Sequence, residues 1–183
     1  MYKEGRIDIV KLMLLNGYND YTKGLETACK VGNIEIVKLM FEYDLNPFWG
    51  FLYACKGGHV ELVELMLSLG AKNYNTGLVN ACKGGHLALI NRMIELGAND
   101  FNSGLYYTCN IHIAQLMIDL GANAFNWSFE NACINGNMEI INLMISYGAD
   151  NYDDGVRCAC LKGHYEVVKL LFELGFEIGR AHV

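Results

Sequence analysis

The chain has 183 residues, of which 20 are acidic and 14 basic; it carries 20 glycines, seven cysteines and a single proline, and 52% of its residues are apolar. That length can bury a sizeable core, while a formal charge of -6 without a Lys/Arg cluster disfavours nucleic acid, whose phosphate backbone demands clustered cations. No apolar stretch approaches the roughly 18 to 20 uncharged residues of a membrane span, and the start, Met1-Tyr2-Lys3-Glu4-Gly5, lacks the apolar region of a signal peptide, so a soluble cytoplasmic or nuclear protein with no membrane partner is expected.

Internal repetition is the dominant signal. Cys29, Cys55, Cys82, Cys109, Cys133 and Cys160 follow one another at 26, 27, 27, 24 and 27 residues. Ala28, Ala54, Ala81, Thr108, Ala132 and Ala159 stand one place earlier, and Leu25, Phe51, Leu78, Leu105, Phe129 and Val156 four places earlier. A fixed period of this size marks a solenoid, in which no unit can bury its apolar face alone and neighbours do so together.

In chain order, Gly5 to Asn16 reads as a second helix with no first helix before it, so residues 1–23 form a partial unit. Complete units span 24–49, 50–76, 77–103, 104–127, 128–154 and 155–183, in one repeat domain. The unit from Gly77 shows the pattern. Leu78 to Lys83 is a short helix with Leu78, Ala81 and Cys82 on one face, and Gly84-Gly85 ends it. His86 opens a second helix whose face is Leu87, Leu89, Ile90, Met93, Ile94 and Leu96, which Gly97 stops. Ala98 to Gly104, rich in turn-forming residues, crosses to the next unit as a loop. The unit from Gly104 is three residues short, passing from Cys109 straight to Asn110, so a tighter turn is expected there. The last residues, Phe176 to Val183, hold no further first helix. Ile7, Val10, Leu14, Phe172 and Leu174 give the two ends an apolar character that would suit a fragment or an end-paired oligomer.

The stretch Thr76-Gly77-Leu78-Val79-Asn80-Ala81-Cys82-Lys83-Gly84-Gly85-His86, followed by Leu89, Ile90, Met93 and Gly97-Ala98, resembles the ankyrin repeat, whose pattern is T-P-L-H-x-A-A-x-x-G-H, then a V-V and L-L helix closing on G-A. The match recurs over Gly50 to Ala71 and, with Asn137 for the histidine, Ser128 to Ala149. The family's proline and first histidine are absent, Gly77 and Val79 standing in their places, so the bonds that histidine makes between repeats are lost. The period is shortened from about 33 residues to about 27, and the missing residues fall where the family has its β-hairpin finger. The resemblance implies an all-α, right-handed ankyrin-type solenoid with reduced or absent fingers. Short units of this kind also resemble the expanded ankyrin arrays of large DNA viruses that infect protists, which would make the partner a host protein.

Several constellations bear on function. Adjacent equivalent helices lie roughly 8 to 10 Å apart, too far for disulfides, so each lattice cysteine is expected to be a buried apolar filler. Cys158, off the lattice, shares no face with Cys160 and has no base beside it. His59, His86 and His164 recur one per unit at the start of the second helix and cannot converge on a metal; they are expected to bond nearby backbone. Tyr21, Phe48, Tyr74, Phe101, Phe125 and Tyr152 place a ring in every inter-unit loop, expected to be buried packing. Trp49 and Trp127 occur in single units and are candidate contact anchors. Lys30, Lys56 and Lys83 form a row at the helix end that, in ankyrin proteins, borders the concave partner surface; an acidic segment could lie along it, the alternative being stabilisation of the helix dipole. The row breaks at Asn110, Ile134 and Leu161. Tyr53, Asn80, Tyr107 and Asn131, at first-helix positions that vary between units, are further contact candidates.

The resemblance, with no nucleophile-base pair, ligand cluster or carboxylate pair breaking the lattice, points to a non-enzymatic protein-protein interaction module without cofactor or metal. The alternative is an assembly protein that self-associates through its exposed ends.

Overall fold

A computed structural model describes residues 11–12, 21–42 and 46–181, with side chains from Gly24 through Gly175 in the helices concerned. The expected opening half-unit, with Ile7, Val10 and Leu14, lies outside the described residues, as do Tyr21's ring and the side chains beyond Gly175. Besides the helical residues Lys11 and Leu12, twelve helices and no strand are found among the described residues. The chain divides between Asn99 and Asp100 into two compact units.

The first unit holds α1 (Tyr21–Lys30), α2 (Ile34–Phe41), α3 (Pro47–Gly57), α4 (Val60–Ser68), α5 (Tyr74–Gly84) and α6 (Leu87–Glu95). Here α1, α3 and α5 pack on one another in order, and α2, α4 and α6 each pack on the helix before them. The second unit holds α7 (Phe101–Tyr107), α8 (Ile111–Asp119), α9 (Phe125–Asn135), α10 (Met138–Ser146), α11 (Tyr152–Lys162) and α12 (Tyr165–Ala181). It repeats the scheme, with α7, α9 and α11 packed in sequence and α8, α10 and α12 paired to them.

Each unit's core is made mainly of lattice residues and, in every pair but the last, one methionine, whose place in α12 is taken by buried Leu171. Phe51, Leu78, Leu105 and Phe129 are fully buried, as are Met66, Met93, Met117 and Met144 from the second helices. A Gly-Ala motif ends four of the second helices, α4, α6, α8 and α10, by a specific device. Gly97 adopts φ 99°, a left-handed conformation that a side chain would strain, and this turns the Ala98 N–H back onto the Met93 carbonyl at 2.9 Å while burying the Ala98 methyl. Ala71, Ala122 and Ala149 make the same bond to Met66, Met117 and Met144.

Four expectations need correction. The first helices begin earlier than the loops allowed for: Tyr74, Phe101, Phe125 and Tyr152 are their opening residues, and Phe48 is second in its helix, behind Pro47. These rings are half-buried rather than buried. They sit at a helix start, where one edge faces solvent and the other meets a neighbour; Phe125 stacks on Tyr147 with centroids 5.3 Å apart and Tyr152 meets Phe129 edge-on at 6.0 Å.

The lattice cysteines are not uniformly core. Cys29, Cys55, Cys82 and Cys133 are buried, but Cys109 and Cys160 are exposed, and all seven are free thiols. For Cys109 the cause is the three-residue deletion: α7 stops at Tyr107, Thr108 turns extended with its Oγ1 accepting from Asn110 N–H, and Asn110 caps α8 through the N–H groups of His112 and Ile113. Cys109 is left beyond the helix. Cys160 lies in the last described first helix, on the side that in α1 is covered by the next unit, where a Cβ on Gly50 would stand 3.5 Å from Cys29 Sγ.

The recurrent histidines do bond backbone, but that of the preceding pair, 29 or 30 residues away along the chain, and not that of their own helix start. His59 Nε2 meets the Lys30 carbonyl at 2.8 Å, His86 the Lys56 carbonyl at 3.0 Å and His164 the Ile134 carbonyl at 2.9 Å. Asn137, standing in for histidine, donates to the Cys109 carbonyl at 3.0 Å and also caps α10. The three histidine ties each satisfy a carbonyl at a first-helix end, where four such acceptors lack helical partners, and the Asn137 tie satisfies one just past α7. The ring lies so close to the preceding pair that a Cβ on Gly32, Gly58 or Gly136 would fall within 2.6 Å of an imidazole nitrogen.

A second ladder runs along the opposite, loop side. Asn75 Oδ1 accepts from Asn99 N–H at 2.7 Å while its amide donates to Asn99 Oδ1; Asn102 and Asn123, then Asn126 and Asp150, repeat the reciprocal pair. Asn102 also takes the Ala124 N–H. One asparagine side chain thus does in each pair what a short strand would do, tying the loops without a hairpin. In the second pair Phe48 stands at the asparagine position.

Candidate interaction surface

The candidate contact residues all lie on first helices. In the first unit the structure brings three of the singled-out residues together. Trp49 and Tyr53, four apart on α3 and so on one face, stack with centroids 6.5 Å apart at 26°, and Phe48 meets Trp49 edge-on at 5.1 Å. Lys30 Nζ of α1 lies 5.6 Å over the Tyr53 ring and is ion-paired with Glu26 one turn back. Burial raises the Tyr53 hydroxyl's pKa, the Glu26 carboxylate adds to this, and Lys30 opposes it.

The lysine row is therefore uneven. Lys30 is engaged within its own unit, Lys56 is half-buried, and Lys83 is exposed. Asn80, also a contact candidate, donates its amide to the Thr76 carbonyl one turn back.

In the second unit three candidates converge on a residue that the sequence did not single out. Trp127 of α9 stacks on Tyr106 of α7 with centroids 4.1 Å apart at 24°; Tyr107 stands edge-on to Tyr106 at 4.7 Å; Asn131 donates its amide to the Tyr106 carbonyl at 2.6 Å. Tyr106 is the hub of this cluster. Its hydroxyl's pKa is raised first by burial and then by Tyr107, Glu130 and Cys158 nearby. Glu130 is three residues from Trp127 on α9 and accepts from the Asn151 amide of the next pair. Tyr106 and Glu130 carried a usable signal, since the place after the lattice leucine is Glu, Leu, Val, Tyr, Glu and Arg in successive units.

Both tryptophans remain open to solvent although each is stacked: Trp49 is 48% and Trp127 44% exposed. Each ring is packed against a neighbouring aromatic ring, Trp49 on Tyr53 and Trp127 on Tyr106. Cys158, near Glu130, is half-buried, and its thiol's pKa is raised mainly by burial and next by Glu130, with Arg157 opposing; this is the direction that disfavours a thiolate. Among the described residues no three His, Cys, Asp or Glu side chains gather where they could hold a metal, and no helix is long and apolar enough to cross a membrane.

A different apolar surface lies on the last pair. Leu161 of α11 is 79% exposed, and Tyr165 and Phe172 of α12 are 72% and 56% exposed, beside the open Cys160. No protein-family model matches this chain, and no curated protein does so either.

Proposed function

We propose that the chain is a non-enzymatic protein-protein interaction module built of short ankyrin-type repeats, binding an intracellular protein partner along its first-helix faces. The observation that carries this reading is the pair of stacked, half-exposed tryptophans, Trp49 and Trp127, which stand at the same repeat position in two units and complete no core. Tryptophan is the residue type most enriched in binding hot spots. The Gly-His turns, the Gly-Ala helix stops and the bonds tying successive pairs support the ankyrin-type assignment, with the asparagine ladder in place of fingers. In this reading Tyr53, Asn80 and the lysines Lys30, Lys56 and Lys83 accompany Trp49 in the first unit, and Tyr107 and Asn131 accompany Trp127 in the second.

Selection of a random displayed-peptide library on the full chain tests it. Enriched sequences whose binding falls in Trp49→Ala or Trp127→Ala support the module; a library that enriches nothing removes it.

The strip of Leu161, Tyr165 and Phe172 favours a second reading, self-assembly through this end of the chain. Light scattering across concentration separates the two, since mass growing with concentration supports assembly and a constant monomer mass argues against it.

A further inference from the structure

The chain's charge is divided very unequally. Residues 1–99 carry ten acidic and ten basic side chains, whereas residues 100–183 carry ten acidic and four basic, so the whole net charge of -6 belongs to the second unit. Between Arg92 and Arg157 there is no lysine or arginine at all, while Glu95, Asp100, Asp119, Glu130, Glu139, Asp150, Asp153 and Asp154 all fall in that interval. The Trp127–Tyr106 stack stands in the middle of this cation-free stretch.

In the first unit, a cation is already seated on the aromatic surface: Lys30 lies over Tyr53 beside Trp49, with Glu26 as its carboxylate partner. The second unit has the exposed indole, the tyrosine and a carboxylate, Glu130, on the face that Trp127 shares, but Asn110, Ile134 and Leu161 stand at the repeat position of that lysine. The first cation after the gap, Arg157, is held on its own helix by Asp154 at 2.6 Å.

We infer that the Trp127–Tyr106 stack and the Glu130 carboxylate form a docking point for a cationic side chain, foremost an arginine, carried on a basic segment of the partner protein. The inference rests on the interaction-module reading and names its partner's chemistry. A guanidinium suits the point because it stacks flat on an indole face while its N–H groups fork to a carboxylate. The surrounding negative potential raises the encounter rate with a basic segment and disfavours an acidic one.

The test uses the full chain and three matched labelled peptides in which Arg, Gln or Glu alternates with Ser, followed by fluorescence anisotropy. Saturable binding of the Arg-Ser peptide alone, weakening with added salt and falling about tenfold in Trp127→Ala, is the expected result. Glu130→Gln keeps an oxygen for the Asn151 amide and removes only the charge, so a several-fold loss in that variant guards against a misfolded Trp127→Ala. Equal binding of the Gln-Ser peptide, or an Arg-Ser affinity unchanged by both substitutions, overturns the inference. If the displayed library enriches acidic or purely apolar sequences, this docking point is refuted while the module stands; if it enriches nothing, both fall.

Discussion

The glycine that precedes the lattice leucine offers a sharp perturbation, because the same substitution meets different surroundings in different pairs. At Gly77 in α5, an added Cβ would lie 2.7 Å from Met93 Sδ and 2.7 Å from Phe51 Cζ. Ordinary carbon contacts lie at roughly 3.5 to 4.0 Å, so about 1 Å of separation must be found. The Met93 thioether can swing, but the Phe51 ring is fully enclosed and cannot retreat. At Gly24 in α1 the Cβ meets only the tip of Met40 at 3.3 Å.

Replacing a helical glycine by alanine gains about 1 kcal/mol in backbone entropy, and overpacking a tight core costs about 1 to 3 kcal/mol. Gly24→Ala should therefore be stabilising by up to about 1 kcal/mol, and Gly77→Ala destabilising by up to about 2 kcal/mol once the same gain is set against the overpacking. Urea unfolding followed by far-UV circular dichroism reads the difference as opposite shifts in midpoint. Phe51→Leu, which frees space, should make Gly77→Ala less harmful in a double-mutant cycle. A Gly77→Ala chain as stable as Gly24→Ala, or a cycle without coupling, would refute the packing argument.

His86→Ala should cost about 1 to 2 kcal/mol by leaving the Lys56 carbonyl unbonded, and His86→Asn should recover most of it, as Asn137 shows for the same position; thermal melts decide. Asn102→Ala removes the acceptor of two loop N–H groups and should lower stability by about 1 to 2 kcal/mol, read by the same melts. Ser128 takes the lattice glycine's place with its buried hydroxyl lacking a partner among the described residues, so Ser128→Ala should raise stability by about 1 kcal/mol, read as a higher urea midpoint. Burial pushes the thiols of Cys29, Cys55, Cys82 and Cys133 up to about 12 from an ordinary 9.0. The unfolded chain therefore releases thiol protons above pH 9 that the folded chain retains, and stability falls as pH rises from 9 towards 12, by up to about 1.4 kcal/mol per pH unit for each thiol. In the folded chain near neutral pH, alkylation followed by mass spectrometry should reach Cys109 and Cys160 and spare these four.

Periodicity alone indicated the helices found among the described residues, how they pair, the leucine, phenylalanine and alanine positions of the core, and that Trp49 and Trp127 stand apart. These properties follow from local conformational preference and from the spacing of apolar residues, both of which are written along the chain. The Gly-His turn was legible as a motif, but not the object of the histidine's bond, because the Lys56 carbonyl that His86 meets is 30 residues away and becomes a neighbour only when two pairs stack. The asparagine ladder was hidden for the same reason. Asn75, Asn102 and Asn126 look like ordinary turn residues until the loops 21 to 24 residues further on are laid beside them.

Tertiary structure also decided which cysteines are buried. Six stand on one lattice, yet burial depends on a full helix beneath and a neighbour above; Cys109 lies past the end of α7, and Cys160 lies in the last described first helix. Tyr106 became the centre of the aromatic cluster only through the stacking of α9 on α7. A repeat sequence states what each unit is made of, whereas the contacts between units arise from side chains whose separation along the chain is a whole period, and packing alone brings them within bonding distance.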